Sequence, residues 1–351
     1  MTTIAQSGLA CPIPLPAADR VQLGHGSGGK LSASLIGGLF VRELDNPALA
    51  EMGDGAVVRA DAADLVVSTD SFVVSPLEFP GGDIGSLAVH GTLNDVAMMG
   101  AVPLCLTAGF VLEEGLPMAT LERIVASMAR AARMAGVPIV AGDTKVVERG
   151  KADGLYVNTT GIGLLHPRCR PGPRGARVGD VVIVSGAVAR HGMAIMSARE
   201  GLEFESTITS DSACLVPLVE RLTASGVDVH VLRDPTRGGV ASALNEIAAA
   251  SNVGVVLEED ALPVPDNVRA ACEMLGLDPL YVANEGVLLA IVSGPDAARA
   301  VEALQSHALG REAAIIGRVV AEPPATVLLR TALGGTRIVD LLPGDQLPRI
   351  C

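Results

Sequence analysis

A chain of 351 residues is long enough for two domains of ordinary size, each with its own buried core. Apolar residues make up 49% of it, which excludes a disordered chain, and with 2% aromatics and no tryptophan the cores must be built from Val, Leu, Ile, Ala and Met. A net charge of −13 excludes a general binder of nucleic acid or anionic membrane, both of which need positive fields, and leaves acidic side chains to hold hard cations.

Residues 1–20, rich in proline and small side chains, read as a loose arm. Next comes Leu23-Gly24-His25-Gly26-Ser27-Gly28-Gly29-Lys30, which fits the dinucleotide pattern G-x-G-x-x-G and nearly fits a P-loop. Leu31 stands where a P-loop needs Ser or Thr, and no strand-to-helix unit frames a dinucleotide site. A glycine-rich loop closing over phosphates through its amides and Lys30, or a plain flexible turn, is what remains.

Five carboxylates follow, each beside an apolar run and small residues: Gly53-Asp54-Gly55, Thr69-Asp70-Ser71, Asn94-Asp95-Val96, Gly142-Asp143-Thr144 and Arg233-Asp234-Pro235. Their expected place is at strand ends and turns, where sites of α/β proteins gather. One such Asp is ordinarily a turn former or helix cap. Five oxygen ligands without His or Cys suit Mg²⁺ bridging nucleotide phosphates, with Lys30, Lys145 and Arg237 complementing phosphate charge.

Asp83 caps a predicted helix running to about Met99, which puts Asp95 near its C-terminal end, where a carboxylate opposes the helix dipole and calls for a compensating cation. Pro117 starts another, with Leu121, Ile124, Val125, Met128 and Ala132 on its apolar face and Gly136 ending it. Leu155 to Leu165 reads as a strand. Residues 166–175, with three prolines and two glycines, read as a linker, and a second α/β alternation follows. Helices are predicted near 191–200, 212–225, 240–251, 266–275 and 295–308, strands near 181–185, 227–232, 253–258, 286–293 and 313–320, and a hairpin at 326–340. Glu285, at an Asn/Gly corner before an apolar strand, is either a buried carboxylate of raised pKa or a solvated turn residue.

The six histidines are too dispersed for a metal triad, and the six cysteines show neither a C-x-x-C nor a disulfide framework, so the expected compartment is the cytoplasm. The longest apolar stretch, Ala101 to Leu112, is too short and broken to span a bilayer. The sequence ends Pro348-Arg349-Ile350-Cys351, and the run 342–348 leading into it holds two prolines, Pro343 and Pro348, and one glycine. A terminal thiol reads either as a frayed end or as a nucleophile on a flexible tail. Residues 343–351 can span about 30 Å, enough to bring the sulfur into a distant pocket.

In order, Gly53-Asp54-Gly55-Ala56, Ser68-Thr69-Asp70-Ser71, Asn94-Asp95-Val96-Ala97-Met98-Met99-Gly100-Ala101, Ala141-Gly142-Asp143-Thr144 and Asp234-Pro235-Thr236-Arg237-Gly238-Gly239 resemble the ATP-using synthetases related to aminoimidazole ribonucleotide synthetase. Within that superfamily, His25-Gly26-Ser27-Gly28-Gly29-Lys30 and the final Pro-Arg-Ile-Cys are similar to the hydrogenase-maturation carbamoyl dehydratases. The resemblance implies a two-domain α/β fold with α+β layers: an arm (1–20), an ATP-binding and dimerisation domain (21–165), a C-terminal domain (176–341) and a flexible tail (342–351). It implies a homodimer paired through the N-terminal sheets, a carbamoyltransferase partner and a scaffold complex that accepts a cyano group. It also implies ATP-driven dehydration of a carbamoyl group on Cys351 to a thiocyanate for a [NiFe] hydrogenase iron. Carried over residue by residue, Asp54, Asp95 and Asp234 become Mg²⁺ ligands, Lys30, Asp70, Gly142, Asp143, Thr144 and Arg237 nucleotide-binding, and Lys145 and Glu285 a proton-handling pair beside Cys351. The rivals are a selenophosphate synthetase or thiamine-monophosphate kinase of the same superfamily, and a non-catalytic scaffold.

Overall fold

A computed structural model describes residues 29–44, 47–61, 63–201, 207–342, 347 and 349–351. The arm at 1–20 and the loop from Gly24 to Gly28 lie outside the described residues. After Gly29 the chain forms α1 (Lys30–Leu35), continues through a wider π turn (Ile36–Val41) and ends in α2 (Arg42–Leu44).

Strands β1 (Ala56–Ala60) and β2 (Ala63–Phe72) pair as a hairpin, and a short ladder of β3 (Glu78–Phe79) with β4 (Gly82–Asp83) leads into α3 (Ile84–Met98). Asp83 caps α3 as expected: its carboxylate accepts from the amides of Gly85 (2.8 Å) and Ser86 (3.1 Å), and the Ser86 hydroxyl accepts from the Asp83 amide. Then come β5 (Ala101–Glu113), α4 (Met118–Ala135), β6 (Ile139–Val147) and β7 (Leu155–Leu165). The sheet order is β1-β2-β7-β5-β6, antiparallel except for the parallel β5–β6 pair. Alternate residues of β7 (Leu155, Val157, Thr159) are buried, and α3 and α4 cover that face. On α4 the buried stripe is Ile124, Ser127, Met128, Ala131 and Ala132, whereas the expected core residue Val125 is 43% exposed.

The second sheet contains β8 (Val181–Val184), β9 (Val229–Arg233), β10 (Gly254–Glu258), β11 (Leu289–Val292), β12 (Ala314–Val320), β13 (Thr326–Arg330) and β14 (Thr336–Val339), in the order β14-β13-β10-β12-β8-β11-β9. Alternating helices and strands often signal a parallel sheet, yet only β10–β13 is parallel here. Between the strands lie α5 (Arg190–Glu200), α6 (Val216–Ala224), α7 (Gly239–Ser251), α8 (Asp266–Leu275) and α9 (Ala297–Gln305). Val182 and Val184 of β8 pack with Val240 and Leu244 of α7, while Ile183 between them packs with Leu218 of α6 and Leu304 of α9. Both faces of the sheet are therefore covered, and its central strands read as continuous apolar runs.

The halves share packing at two places. Ala97 and Met98 of α3 join the core beneath α6 and α9. Met193, Ile195, Val268, Leu347, Ile350 and Cys351 join the core of the first sheet. Among the described residues of the tail, Leu347, Ile350 and Cys351 are thus packed into that core.

Candidate active site

Three chain segments converge on one acidic cluster. Asp54 lies in the turn before β1, Asp95 in the last turns of α3, and Asp234 directly after β9. One carboxylate oxygen from each lies within 4.8 Å of the others. The Ser68 hydroxyl, on β2, is 2.7 Å from Asp95 Oδ2 and 2.8 Å from the Asp54 carbonyl, so it can donate to either one. Arg233 reaches Asp54 Oδ1 at 2.6 Å and Glu246 Oε2 at 2.8 Å, whereas the hydrogen-bond partner of the Asp95 carboxylate is the Ser68 hydroxyl.

Burial raises all three carboxyls. Asp95 stands well above its ordinary value because of burial, reinforced by the charges of Asp234, Asp54 and Asp70. Burial pushes Asp234 up to about 7, with Asp54 adding to it and Arg233 opposing. Asp54 is also raised by burial, against the pull of Arg233. One guanidinium cannot neutralise three converging carboxylates, and a hard divalent cation with oxygen-only ligands fits this donor set. A cavity of about 610 Å³ opens beside Asp54 and Arg233, walled by Ile36, Met52, Met99 and Ile247, which is a volume suited to a small ligand.

The loop after Asp234 turns on two glycines in left-handed conformation, Gly238 (φ 77°) and Gly239 (φ 60°). A Cβ at Gly239 would meet the Leu280 carbonyl at 2.5 Å, so only glycine lets the loop lie against the 280–282 turn. This brings the Arg237 guanidinium into the fields of Asp70, Glu285 and Cys351.

Glu285 is 3% exposed, not a solvated turn residue. Burial holds its carboxyl well above the usual range, with Asp234, Asp70 and Asp211 adding to the effect and Arg237 opposing it. When ionised, a carboxylate in such a site is a stronger base than an ordinary one, suited to taking a proton from a weakly acidic N–H group. Beneath it the Asp211 carboxylate accepts from the Glu285 amide at 3.2 Å, and burial pushes Asp211 up to about 6. Asp211 Oδ2 is buried with no hydrogen-bond partner among the described residues.

Cys351 reaches the same place. The Val73 amide donates to the Cys351 carbonyl (3.1 Å) and the Ser75 amide to the Arg349 carbonyl (3.3 Å). Arg199 also donates to the Arg349 carbonyl (2.8 Å), and His191 Nε2 lies 2.9 Å from the Ile350 carbonyl. The Arg349 side chain donates to the Val73 carbonyl at 3.1 Å and pairs with Asp153. Burial pushes the Cys351 thiol far above its usual range, opposed by Arg237 and reinforced by Glu285, Asp70 and Asp234. The docked thiol therefore keeps its proton.

Asp95 is helical, as the Asp83-capped helix required, while Asp70 lies inside β2 rather than at a strand end, with its charge still reaching Asp95, Asp234, Glu285 and Cys351. Other expected residues lie elsewhere in the single chain, Asp143 among them, inside β6. Gly142, Asp143, Thr144 and Lys145 are exposed on β6, an edge strand, where Lys145 pairs with Asp143 at 2.6 Å instead of with Glu285 or Cys351. Lys30 pairs with Asp340 at 2.7 Å. His90 meets the Ser212 hydroxyl at 3.1 Å and burial lowers it to about 4, in keeping with a hydrogen-bonded core histidine. Sequence reasoning did not single out Arg233, Ser68, Asp211, Asn284 or His191. Arg233 had a signal, being a cation directly before a candidate ligand; the others depend on contacts made across the fold.

A sheet covered on one face and a second covered on both meet at a buried acidic cleft, and the class is that of the AIR synthase related proteins, whose N-terminal domain model matches residues 52–165 and whose C-terminal domain model matches residues 177–330. The chain belongs to that family. It is 56% identical over 333 residues to carbamoyl dehydratase HypE of Cupriavidus necator, covering 95% of each. Among solved structures, HypE in a HypE–HypF complex superposes with a TM-score of 0.84 at 48% identity, covering 88% of this chain and 100% of that one. HypE in complex with ATP superposes with a TM-score of 0.80 at 50% identity, covering 93% and 98%. The chain is a member of the HypE family of carbamoyl dehydratases, the hydrogenase maturation enzymes.

Proposed function

We propose that this chain carries a carbamoyl group on Cys351 and uses ATP to dehydrate it to a thiocyanate. The carboxamide oxygen of the S-bound group attacks the γ-phosphorus of ATP, ADP leaves, and one N–H proton is lost, giving an iminyl phosphate. Glu285 then takes the remaining N–H proton, the C–O bond breaks, and phosphate leaves S–C≡N on Cys351. The oxygen of the formal water ends in the phosphate. Asp54, Asp95 and Asp234 would hold Mg²⁺, which when bound neutralises phosphate charge. Arg237 and Asp70 orient the phosphate end of the nucleotide.

The observation that carries this reading is the docking of Cys351, through its backbone, beside a buried glutamate and an arginine that border the acidic triad. A protonated, buried thiol is a poor nucleophile, so the docked pose suits a tail already loaded with an uncharged thiocarbamate. Loading then belongs to a second protein, and the solved complex of a HypE relative with HypF supports a carbamoyltransferase partner; in this scheme the product cyano group passes on to a scaffold complex.

Lys145 joins this scheme through a second copy of the chain. The outer face of the first sheet exposes the apolar row Val58, Leu164 and Val102, with Val111 next to β6, whose far edge is unpaired among the described residues. Exposed apolar area next to a free edge fits a homodimer interface, across which Gly142, Asp143, Thr144 and Lys145 would meet the nucleotide. Sedimentation of the purified chain tests it: a monomer at micromolar concentration contradicts the dimer.

ATP hydrolysis separates an enzyme from a scaffold. The proposal predicts phosphate release that depends on carbamoylated Cys351 and is absent in Cys351→Ala, which still binds ATP. Equal phosphate release by both proteins would overturn it. Identities of 48–56% to carbamoyl dehydratases favour this reading over the selenophosphate synthetase and kinase alternatives.

A further inference from the structure

His191, at the start of α5, has no exposed surface, and both ring nitrogens are engaged. Nε2 faces the Ile350 carbonyl at 2.9 Å, and Nδ1 faces the Ser210 hydroxyl at 2.8 Å. A carbonyl can only accept, so Nε2 carries the proton and Nδ1 accepts from Ser210. Ser210 Oγ in turn accepts from the Ser212 amide at 3.0 Å. The imidazole stands edge-on to Phe79, with centroids 5.6 Å apart and planes at 87°. One tautomer and one ring orientation are thereby set.

The start of α5 is itself keyed to the active site. The Ala189 amide donates to Asn284 Oδ1 at 2.7 Å and the Gly192 amide to the Ala283 carbonyl at 3.0 Å. Asn284, 0% exposed, donates through Nδ2 to the Pro235 carbonyl at 2.8 Å. One buried amide thus links the helix bearing His191, the loop bearing Asp234 and the corner bearing Glu285. The Arg349 and Cys351 carbonyls take donors from residues 73 and 75, and the Ile350 carbonyl between them takes its donor from His191.

We propose that His191 is a positioning residue: by donating to the Ile350 carbonyl from a frame shared with Glu285 and Asp234, it sets where the Cys351 sulfur sits against them. The chemical consequence rests on the reading that Cys351 carries the reacting group. The hold on the tail does not.

The test is time-resolved alkylation with iodoacetamide, mapped cysteine by cysteine, on the full chain and its His191→Phe and His191→Gln variants. Phe keeps a ring against Phe79 without a donor; Gln restores a donor. Cys169 and Cys272, 4% and 1% exposed, report on general loosening. Alkylation of Cys351 should rise about tenfold in H191F, the order expected for one lost hydrogen bond to a buried carbonyl. Cys169 and Cys272 should stay protected, and H191Q should return toward the parent. ATP-dependent loss of water per carbamoylated molecule should fall in parallel in H191F. Unchanged Cys351 labelling, or a rise shared by all three cysteines, overturns the proposal. If the parent chain never carries a carbamoyl group on Cys351, the functional reading fails, and the labelling pattern alone decides whether His191 holds the tail.

Discussion

Asp95 and Asp143 sit in sequence stretches of similar look, each a carboxylate among small and apolar residues, and meet opposite fates. Asp95 is enclosed with Asp54 and Asp234, and burial with like charges drives its carboxyl upward. Asp143 lies open on β6, and its hydrogen bond to Lys145 draws its carboxyl downward. The buried cluster brings together more carboxylates than nearby cations and suits a hard divalent ion. The exposed strand is electrostatically content alone, and what it lacks is a surface to face. The contrast separates what one chain does by itself from what the proposed metal, nucleotide and second copy would complete.

The sharpest way to break the comparison is Asp95→Asn. It should lower Mg²⁺-dependent ATP turnover by at least about a hundredfold, the upper end of what even outer-shell partners of a metal cost. Without metal, removing a like charge should leave the variant no less stable than the parent by urea denaturation; a large loss would mean that Asp95 is chiefly structural. Arg233→Met probes the same cluster from the cationic side. Stranding Asp54 should cost about 3 kcal/mol at neutral pH, the low end for breaking a buried pair, since Asp54 can take up a proton. Added Mg²⁺ should narrow that deficit.

The pH dependence has a definite sign. Asp234 and Asp211 titrate at about 7 and about 6 in the fold against an ordinary 3.8, so the native state holds protons that the unfolded chain releases. Their contribution to stability is complete below about 4 and is lost as pH rises toward 7. His90 and His191, lowered to about 4 from 6.5, act in the opposite direction, since the unfolded chain takes up protons in that window. Comparing melting with and without Mg²⁺ cancels the histidine part. The Mg²⁺-induced rise in melting temperature should grow between pH 5 and 7.5, because ligation requires ionised carboxylates. A rise independent of pH would place Mg²⁺ elsewhere.

The smallest expected effect on stability belongs to the exposed strand. Lys145→Ala should leave the urea midpoint unchanged, because exposed ion pairs add little. Dehydration should nonetheless be lost if Lys145 serves a neighbouring copy, and normal dehydration would remove it from the scheme.

Much of this was legible in the sequence where local chemistry decides the outcome. The Asp83 cap, the Pro117 and Gly136 ends of α4, and the strand at 155–165 follow from residue types at short range. The three aspartates of the cluster were picked out by motif, and their convergence is a property of the fold. Burial decided the rest. Nothing local distinguishes the strand of Asp70, half-buried against its neighbours, from that of Asp143, left open at an edge. The docking of Cys351 depends on contacts with residues 73, 75, 191 and 199, which no spacing rule joins to the final residue.

The most direct measurement is intact-protein mass spectrometry with mapping of the final peptide, after incubation with carbamoyl phosphate, ATP, Mg²⁺ and the partner carbamoyltransferase. The account predicts a carbamoyl adduct on Cys351 that loses the mass of one water once ATP and Mg²⁺ are present. An unmodified Cys351 beside a demonstrably active partner, or an adduct that ATP leaves unchanged, would contradict it.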